Sequence, residues 1–448
     1  MNYNILREND VRGEYPRDIN ENAVKQIGKA FGYYLKEKNI SKCIIGHDNR
    51  LSSESLNNTL KDALVNSGLD VIDIGLVTTP MFNYASIVNN IPYGIMITAS
   101  HNKASDNGLK IFGENFLHLS QDELQKLYSY VKEEKEVNGI GTISELYIKD
   151  KYIKMLTNKF KKINKKVVVD CGNGTASIIV KELFNQIFLN VNYLNCESDG
   201  SFPIHNPDPN VPENLKWLID MVRLRGADLG IAVDGDCDRV GIVDNKGNII
   251  TTDYLIAIFA KEIIPVNQNK KVLIDVKCSS AINDEIKKIG GKPIMVKNGS
   301  AYIEGLMYDT PALIGGEYSG HIFFRDDYYG YDDGFYAGLR FAKLLEKENV
   351  LAEDLIKDMK VLLSTPEIRI EVNDDKKREI INKVKEYVIE KKYKAIYVDG
   401  VRINYDEGFA LIRMSNTGPY ITLRFEASNE EDLLLRKNEF MSLIEKFK

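Results

Sequence analysis

An apolar strand that runs into an aspartate and then into Ser or Gly occurs three times in this chain, as CIIGHDNRLSS, VVVDCGNGTAS and VLIDVKCSS. The repeat places Asp48, Asp170 and Asp275 at equivalent points, each followed by a helical pattern. Downstream of each comes a second apolar segment that empties into a polar loop: GIMITASHN, ADLGIAVDGDCDR and ALIGGEYSGH. Three copies of one α/β unit would each present one such loop at a strand end. In open α/β sheets that end is where ligands bind. The aspartates stand roughly one hundred residues apart, an ordinary domain size, which divides the chain into residues 1–150, 151–252 and 253–364. Residues 365–448 differ in kind. After the apolar strand Ile368 to Val372, Ile380, Val384, Tyr387 and Val388 recur at helical spacing, strands follow through Phe425, and a last helix sets Phe440, Ile444 and Phe447 on one face. This reads as a separate, smaller α+β domain.

Composition narrows the function classes. At 448 residues the chain is too long for one core, and 44% hydrophobic with 28% charged residues is ordinary for globular proteins. No apolar stretch approaches the roughly 20 residues that span a bilayer, and the amino terminus MNYNILREND lacks a signal-peptide pattern, so a cytoplasmic protein without membrane contact is expected. Five scattered cysteines, none spaced as CxxC, predict neither a disulfide framework nor a zinc site. A net charge of −6 gives no global attraction for nucleic acid, although local Arg and amide clusters can still bind a small anion.

The polar loops carry the chemistry. Thr98 to Asn102 packs hydroxyl, imidazole and amide groups at the end of the strand Gly94 to Ile97; Ser100 and His101 there are a candidate site, though Ser and Asn also favour turns. In DGDCDR, Asp234, Asp236 and Asp238 crowd one turn between apolar strands, a repulsion that a hard divalent cation such as Mg²⁺ relieves. An EF-hand does not fit, because its sixth position is Arg239 and its twelfth Asn245. GGEYSGH offers Glu317, Ser319 and His321 to sugar hydroxyls, and RMSNTGPY offers Arg413, Ser415, Asn416 and Thr417 to a phosphate. DCGNGTAS lacks the Walker lysine and reads as a tight strand-to-helix turn.

In their order along the chain, TASHN with Lys110 ten residues after Ser100, DGDCDR, GEYSGH and RMSNTGP resemble the α-D-phosphohexomutase family, particularly its phosphomannomutase/phosphoglucomutase branch. The resemblance extends to DVRG at Asp10 to Gly13, GHDNRLSS, FPIHNPDPNVPENL and YYGYDDG, and so covers essentially the whole chain. It implies a heart-shaped molecule of four domains, three related mixed α/β domains and a smaller α+β carboxyl-terminal one. It further implies Ser100 as phosphoryl carrier, Mg²⁺ held between its phosphate and Asp234, Asp236 and Asp238, and Arg239 beside them. Lys110 becomes the acid or base on the sugar hydroxyl, a role that requires its pKa to be lowered. His101, Arg12 and Arg50 are implied helpers, while Lys277, Glu317, Ser319, His321, Arg413, Ser415, Asn416 and Thr417 bind substrate. The implied reaction converts a hexose 6-phosphate into the 1-phosphate, or the reverse, through a hexose 1,6-bisphosphate that also serves as activator, in a monomer or weak dimer.

GEYSGH is closest to the GEMSGH of phosphomannomutase/phosphoglucomutase and differs from the GEQSGH of many phosphoglucosamine mutases, so mannose phosphate is expected first and glucose phosphate as well. Asn9, His47 and Asn49 depart from the commoner residues, with an expected effect on packing. Ser300 stands where many relatives have His or Asp, which leaves sugar discrimination open. The strand leading into Asp234 and Asp236 also resembles haloacid-dehalogenase phosphatases, but TASHN and RMSNTGP argue against that class. A non-catalytic sugar-phosphate sensor would be expected to have lost Ser100, Lys110 or an Asp, and none is lost.

Overall fold

The structure, a computed structural model, describes residues 1–415 and 420–448, apart from the side chains of residues 374 and 375. Three sheets repeat one parallel core. In the first, Lys42–His47 pairs in parallel with both Asp70–Leu76 and Gly94–Ile97. In the second, Ile163–Asp170 pairs with Phe188–Leu194 and Leu229–Val233, and in the third Lys271–Asp275 pairs with Lys292–Val296 and Ile314–Gly316, again in parallel. Each central strand is covered on both faces, which is why its sequence is continuously apolar rather than alternating: Cys43 to Ile45, Val167 to Val169 and Val272 to Ile274 are all fully buried.

The repeated aspartate has one physical job in all three copies. Asp48 accepts the N–H of Arg50 at 3.0 Å, Asp170 that of Gly172 at 2.9 Å and Asp275 that of Lys277 at 3.2 Å. Such a bond to the backbone two residues on turns the chain sharply out of the strand. The helices Ser53–Asn66, Val180–Ile187 and Ala281–Lys288 then follow.

Two antiparallel additions carry polar loops. Asp106–Phe112 folds back on Gly94–Ile97, and Val240–Asp244 folds back on Leu229–Val233. The carboxyl-terminal region is built differently. Tyr420–Ala427 is flanked antiparallel by Gly408–Met414 and by Ile368–Glu371, with Val401–Asn404 beyond Gly408–Met414. Ile380, Val384 and Val388 from the helix Asp374–Glu390, and Phe440 and Ile444 from Glu430–Phe447, are buried in the same core as Ile412, Ile421 and Leu423 of this sheet.

The described chain forms two compact units, Met1–Thr252 with Ser319–Phe323 and Tyr329–Leu355, and Asp253–Tyr318 with Phe324–Tyr328 and Ile356–Lys448. Within the first unit Asn49 joins two of the repeated domains. Its amide donates to the Asn173 carbonyl at 2.8 Å and to the Ser198 hydroxyl at 3.0 Å, and its backbone N–H donates to Thr175 Oγ1 at 3.1 Å. The unusual residue in GHDNR therefore does act on packing. Among the described residues no helix is long and apolar enough to cross a membrane.

Candidate active site

Ser100 leaves the strand Gly94–Ile97 with φ of +51°, a left-handed conformation that a non-glycine residue keeps only when its surroundings enforce it. Arg50 supplies much of that enforcement. Its buried guanidinium donates to the carbonyls of Ser100 and Asn102 at 2.8 Å each, of Lys103 at 2.6 Å and of Asp106 at 3.0 Å, while Nε holds Asp48 at 3.2 Å. Arg50 thus helps as the scaffold of the serine loop, its N–H groups committed to backbone carbonyls and to Asp48.

The serine loop and the acidic turn come together. Ser100 Oγ donates to Asp234 Oδ2 at 2.7 Å and lies 3.2 Å from His101 Nδ1. The close approach depends on Gly235, where a Cβ would stand 2.4 Å from the Ser100 carbonyl oxygen. Lys110 reaches in from Asp106–Phe112, where it sits opposite Met96. Its ammonium donates to Asp236 Oδ2 at 2.7 Å and also to Asp238 Oδ2. Arg12, paired opposite Gly108, lies on the same sheet face as Lys110, since residues two apart on a strand share a face. Its Nε is held by Asp10 at 2.7 Å, and among the described residues its buried Nη1 has no hydrogen-bond partner.

Thr79 and Thr98 were not anticipated as site residues. Both hydroxyls donate to Asp236 Oδ2, at 2.7 and 3.2 Å. Thr98 lies inside TASHN and carried a local signal, whereas nothing in the sequence around Thr79 points 157 residues ahead to Asp236.

Burial and charge set the protonation states. Burial, reinforced by Asp238 and Asp236, pushes the Asp234 carboxyl well above the usual carboxylate range. Burial and Asp238 push Asp236 the same way, but Lys110 and Thr79 outweigh them and hold it low; Lys110, His321 and Arg239 do the same for Asp238 against its burial. Burial works against the Lys110 ammonium, yet Asp236 and Asp238 raise its pKa above the ordinary lysine value. The lowered lysine pKa expected from its acid-base role is therefore not what the folded chain has, because two carboxylates sit on the ammonium. Burial, then Arg239 and Arg12, keep His101 well below the usual histidine range and hence neutral.

The acidic turn fits a divalent cation. Asp234, Asp236 and Asp238 each offer a carboxylate oxygen, all within 4.8 Å of one another. Among the described residues no hydrogen-bond donor reaches the buried Asp236 Oδ1 or Asp238 Oδ1, the condition a hard cation with oxygen ligands resolves.

His321, expected to bind substrate, has partners within the chain. Its Nδ1 is 2.6 Å from Asp332 and its Nε2 accepts from Arg239 Nε at 2.9 Å, so both ring nitrogens serve the protein. Ser319 belongs to the same unit, and its carbonyl accepts from the Asn210 amide.

In the second unit Glu317 accepts from the Asn298 amide at 2.6 Å and from the Gly299 N–H at 2.5 Å. Ser300 directly follows, as the first residue of the helix Ser300–Asp309. Asp399 accepts from the Asn298 N–H at 3.2 Å and from Arg413 Nε at 2.9 Å, linking the two loops. Among the described residues the buried Arg413 Nη2 has no hydrogen-bond partner, which suits an incoming anion. Ser415 is tied to Tyr420 through its backbone N–H at 3.0 Å, and Asn416 and Thr417 lie outside the described residues. Lys277 is half-buried in the turn after Lys271–Asp275.

Four family models match in sequence: phosphoglucomutase/phosphomannomutase alpha/beta/alpha domain I over residues 4–138, domain II over 147–247, domain III over 251–362, and the C-terminal domain over 367–442. The chain belongs to the phosphoglucomutase/phosphomannomutase family. Among relatives within this family, the phosphomannomutase/phosphoglucomutase of Pseudomonas aeruginosa is 38% identical over 97% of this chain and 94% of that protein. The phosphoglucomutase of Neisseria gonorrhoeae is 34% identical over 98% and 96%. A solved phosphoglucomutase/phosphomannomutase family structure from Burkholderia thailandensis superposes with a TM-score of 0.92 at 31% identity, covering 99% of this chain and 98% of that one.

Proposed function

We propose that the chain is a phosphohexomutase that interconverts hexose 6-phosphate and hexose 1-phosphate, with mannose phosphate favoured and glucose phosphate also used. The observation that carries the reading is the Ser100 hydroxyl at 2.7 Å from Asp234, in a buried turn of three carboxylates that also holds Lys110. A nucleophile that must carry a dianionic phosphoryl group needs cationic surroundings, and Arg12, Arg239 and Lys110 supply them. Names of relatives spanning almost the whole chain support both hexose classes.

In the mechanism, Ser100 begins as its phosphate ester. The free hydroxyl of the bound hexose phosphate attacks the phosphorus as the bond to Ser100 Oγ breaks, the hydroxyl proton leaves, and Oγ regains one. The resulting hexose 1,6-bisphosphate turns over, and the phosphoryl group at its other end passes to Ser100 Oγ in the reverse sense. Lys110, held as the ammonium by Asp236 and Asp238, can supply the proton to the departing oxygen; to accept one it must first leave those carboxylates. Asp234, Asp236 and Asp238 would hold Mg²⁺, which when bound neutralises charge on the phosphoryl oxygens. Arg413, Ser415, Asn416 and Thr417 hold the phosphate that is not transferred, and Lys277 assists there. Glu317 and Ser319 accept and donate to the hydroxyls at carbons 3 and 4, which mannose and glucose share. His101 and Arg12 face the ester of Ser100.

A coupled assay tests this. Mannose 1-phosphate, glucose 1-phosphate and glucosamine 1-phosphate are supplied separately with Mg²⁺ and a trace of bisphosphate. Formation of the 6-phosphates of mannose and glucose is expected. Sustained release of inorganic phosphate without isomerisation would overturn the mutase reading, and a glucosamine 1-phosphate kcat/KM well above the other two would overturn the substrate assignment.

A further inference from the structure

The loop KNGS takes no part in the steps above, yet Asn298 within it donates to three carboxyl groups from separate parts of the second unit. Its side-chain amide donates to Asp275 Oδ2 at 2.9 Å and to Glu317 Oε1 at 2.6 Å, while its backbone N–H donates to Asp399 Oδ2 at 3.2 Å. That same Asp399 oxygen receives Arg413 Nε at 2.9 Å. A side-chain amide nitrogen carries two hydrogens and a carboxylate accepts, so the NH₂ side of Asn298 is the one that faces Asp275 and Glu317. Both of its hydrogens are then spent.

The sheet explains why these groups meet. Lys271–Asp275 is the central strand of its parallel group, with Asp275 level with Val296 on one side and Ile274 level with Gly316 on the other. Asn298 and Glu317 therefore follow neighbouring strand ends on either side of Asp275. Asp275 anchors both loops: its Oδ1 accepts the N–H of Lys277 at 3.2 Å and that of Tyr318 at 3.3 Å, and its Oδ2 takes the Asn298 amide. Gly299, at φ of +142°, has a backbone conformation open mainly to glycine, and its N–H joins the Asn298 amide on Glu317 Oε1.

We propose that Asn298 is a positioning residue for the hexose: its amide sets the Glu317 carboxylate at a fixed place relative to Arg413, to which its own N–H is tied through Asp399. The inference rests on the proposed roles of Glu317 at the sugar hydroxyls and of Arg413 at the phosphate that is not transferred. A hexose phosphate presents its hydroxyls and its phosphate at a nearly fixed span. Two contacts already held at that span lose less freedom when the ligand arrives, and so bind it better. An amide that only satisfied buried carboxylates would bear on stability and not on which ligand is bound.

Dissociation constants of glucose 1-phosphate and of inorganic phosphate, measured by calorimetry on the full chain with Mg²⁺, separate the two roles. Asn298→Ala removes the amide but keeps the N–H to Asp399, so glucose 1-phosphate should weaken by about tenfold and inorganic phosphate should not change. In turnover the same variant should raise KM by about tenfold with kcat altered by less than about threefold, because the lost contact serves ground and transition states alike. Asn298→Asp, which keeps the shape but sets an oxygen against Glu317, should weaken glucose 1-phosphate at least as much, and it gives the answer if the alanine variant does not fold. Combined with Glu317→Gln, Asn298→Ala should add nothing, since the amide acts through that carboxylate. Unchanged glucose 1-phosphate binding in either folded variant, equal weakening of inorganic phosphate, or losses that multiply in the double variant would overturn the proposal. A wild type that binds glucose 1-phosphate without isomerising it would instead sink the mutase reading, and the binding constants would still decide the role of Asn298.

Discussion

Under the proposed mechanism Ser100 carries the phosphoryl group, and its hydroxyl, its backbone conformation and its acidic partner are all fixed before substrate arrives. Ser100→Ala should lower turnover by roughly 10⁴-fold or more. Intact-mass analysis should find one phosphate on the active wild-type enzyme and none on the variant. Arg50 makes a contrasting case, since its worth is structural. Arg50→Met strands the buried Asp48 carboxylate and removes the donor from four carbonyls, at a cost of about 3–5 kcal/mol. The denaturation midpoint should fall accordingly, and kcat with it, because the serine loop loses its scaffold. His205 gives a pH test. Burial opposes its charged form, but the hydrogen bond to Asp170 at 3.3 Å and that to the Asn206 carbonyl raise its pKa above the ordinary histidine value. A raised folded-state pKa means that the stabilisation is fully present below the unfolded value and is lost as pH rises through the folded one. The stability advantage of wild type over His205→Gln, measured by denaturation across pH, should therefore shrink as pH climbs above about 6.5. A constant difference would contradict the assignment.

At the scale of elements, the site depends on two hairpins brought into contact, one carrying Ser100 and Lys110 and the other the three aspartates. The contact is close enough that only glycine fits at position 235. Gly235→Ala should cost about 1–3 kcal/mol through overpacking. Its larger effect should be kinetic, because displacing the serine loop by about 1 Å can lower kcat around a hundredfold. A variant with wild-type kcat would show that the two hairpins need not approach this closely. The same elements explain why the repeat was legible. A strand buried on both faces must be continuously apolar, and a turn built on an aspartate that accepts from the N–H two residues on is local, so both leave their mark on contiguous residues.

Across the whole molecule, a cation bound by the acidic turn should stabilise the fold by mass action. Mg²⁺ at a hundred times its dissociation constant should add about 2.7 kcal/mol. Calorimetry with and without Mg²⁺ should show the midpoint rising in wild type. The double variant Asp234→Asn with Asp238→Asn should lose that response, whatever its own metal-free midpoint, which also reflects the lost partner of the buried Lys110 ammonium. An undiminished response in the double variant would place the metal elsewhere.

The repeated α/β units, the different build of the carboxyl-terminal region, the family and the loops that carry Ser100 and the three aspartates are all legible in the sequence alone. Each of these is written in short contiguous stretches whose periodicity or chemistry does not depend on distant residues. That the serine loop meets the acidic turn, and what each side chain spends its hydrogen bonds on, depends on residues far apart in sequence. Arg50 is only an unspecified helper in the sequence, because its spacing cannot show four carbonyls arriving from residues 100 to 106. Lys110 was expected with a lowered pKa, and the carboxylates that raise it lie 126 and 128 positions away. His321 sits in a sugar-loop motif, yet its ring is bound to Arg239, 82 residues earlier, and to Asp332. Protonation and orientation are set by the sum of charges and burial in three dimensions, and a residue's neighbours in sequence carry almost none of that sum.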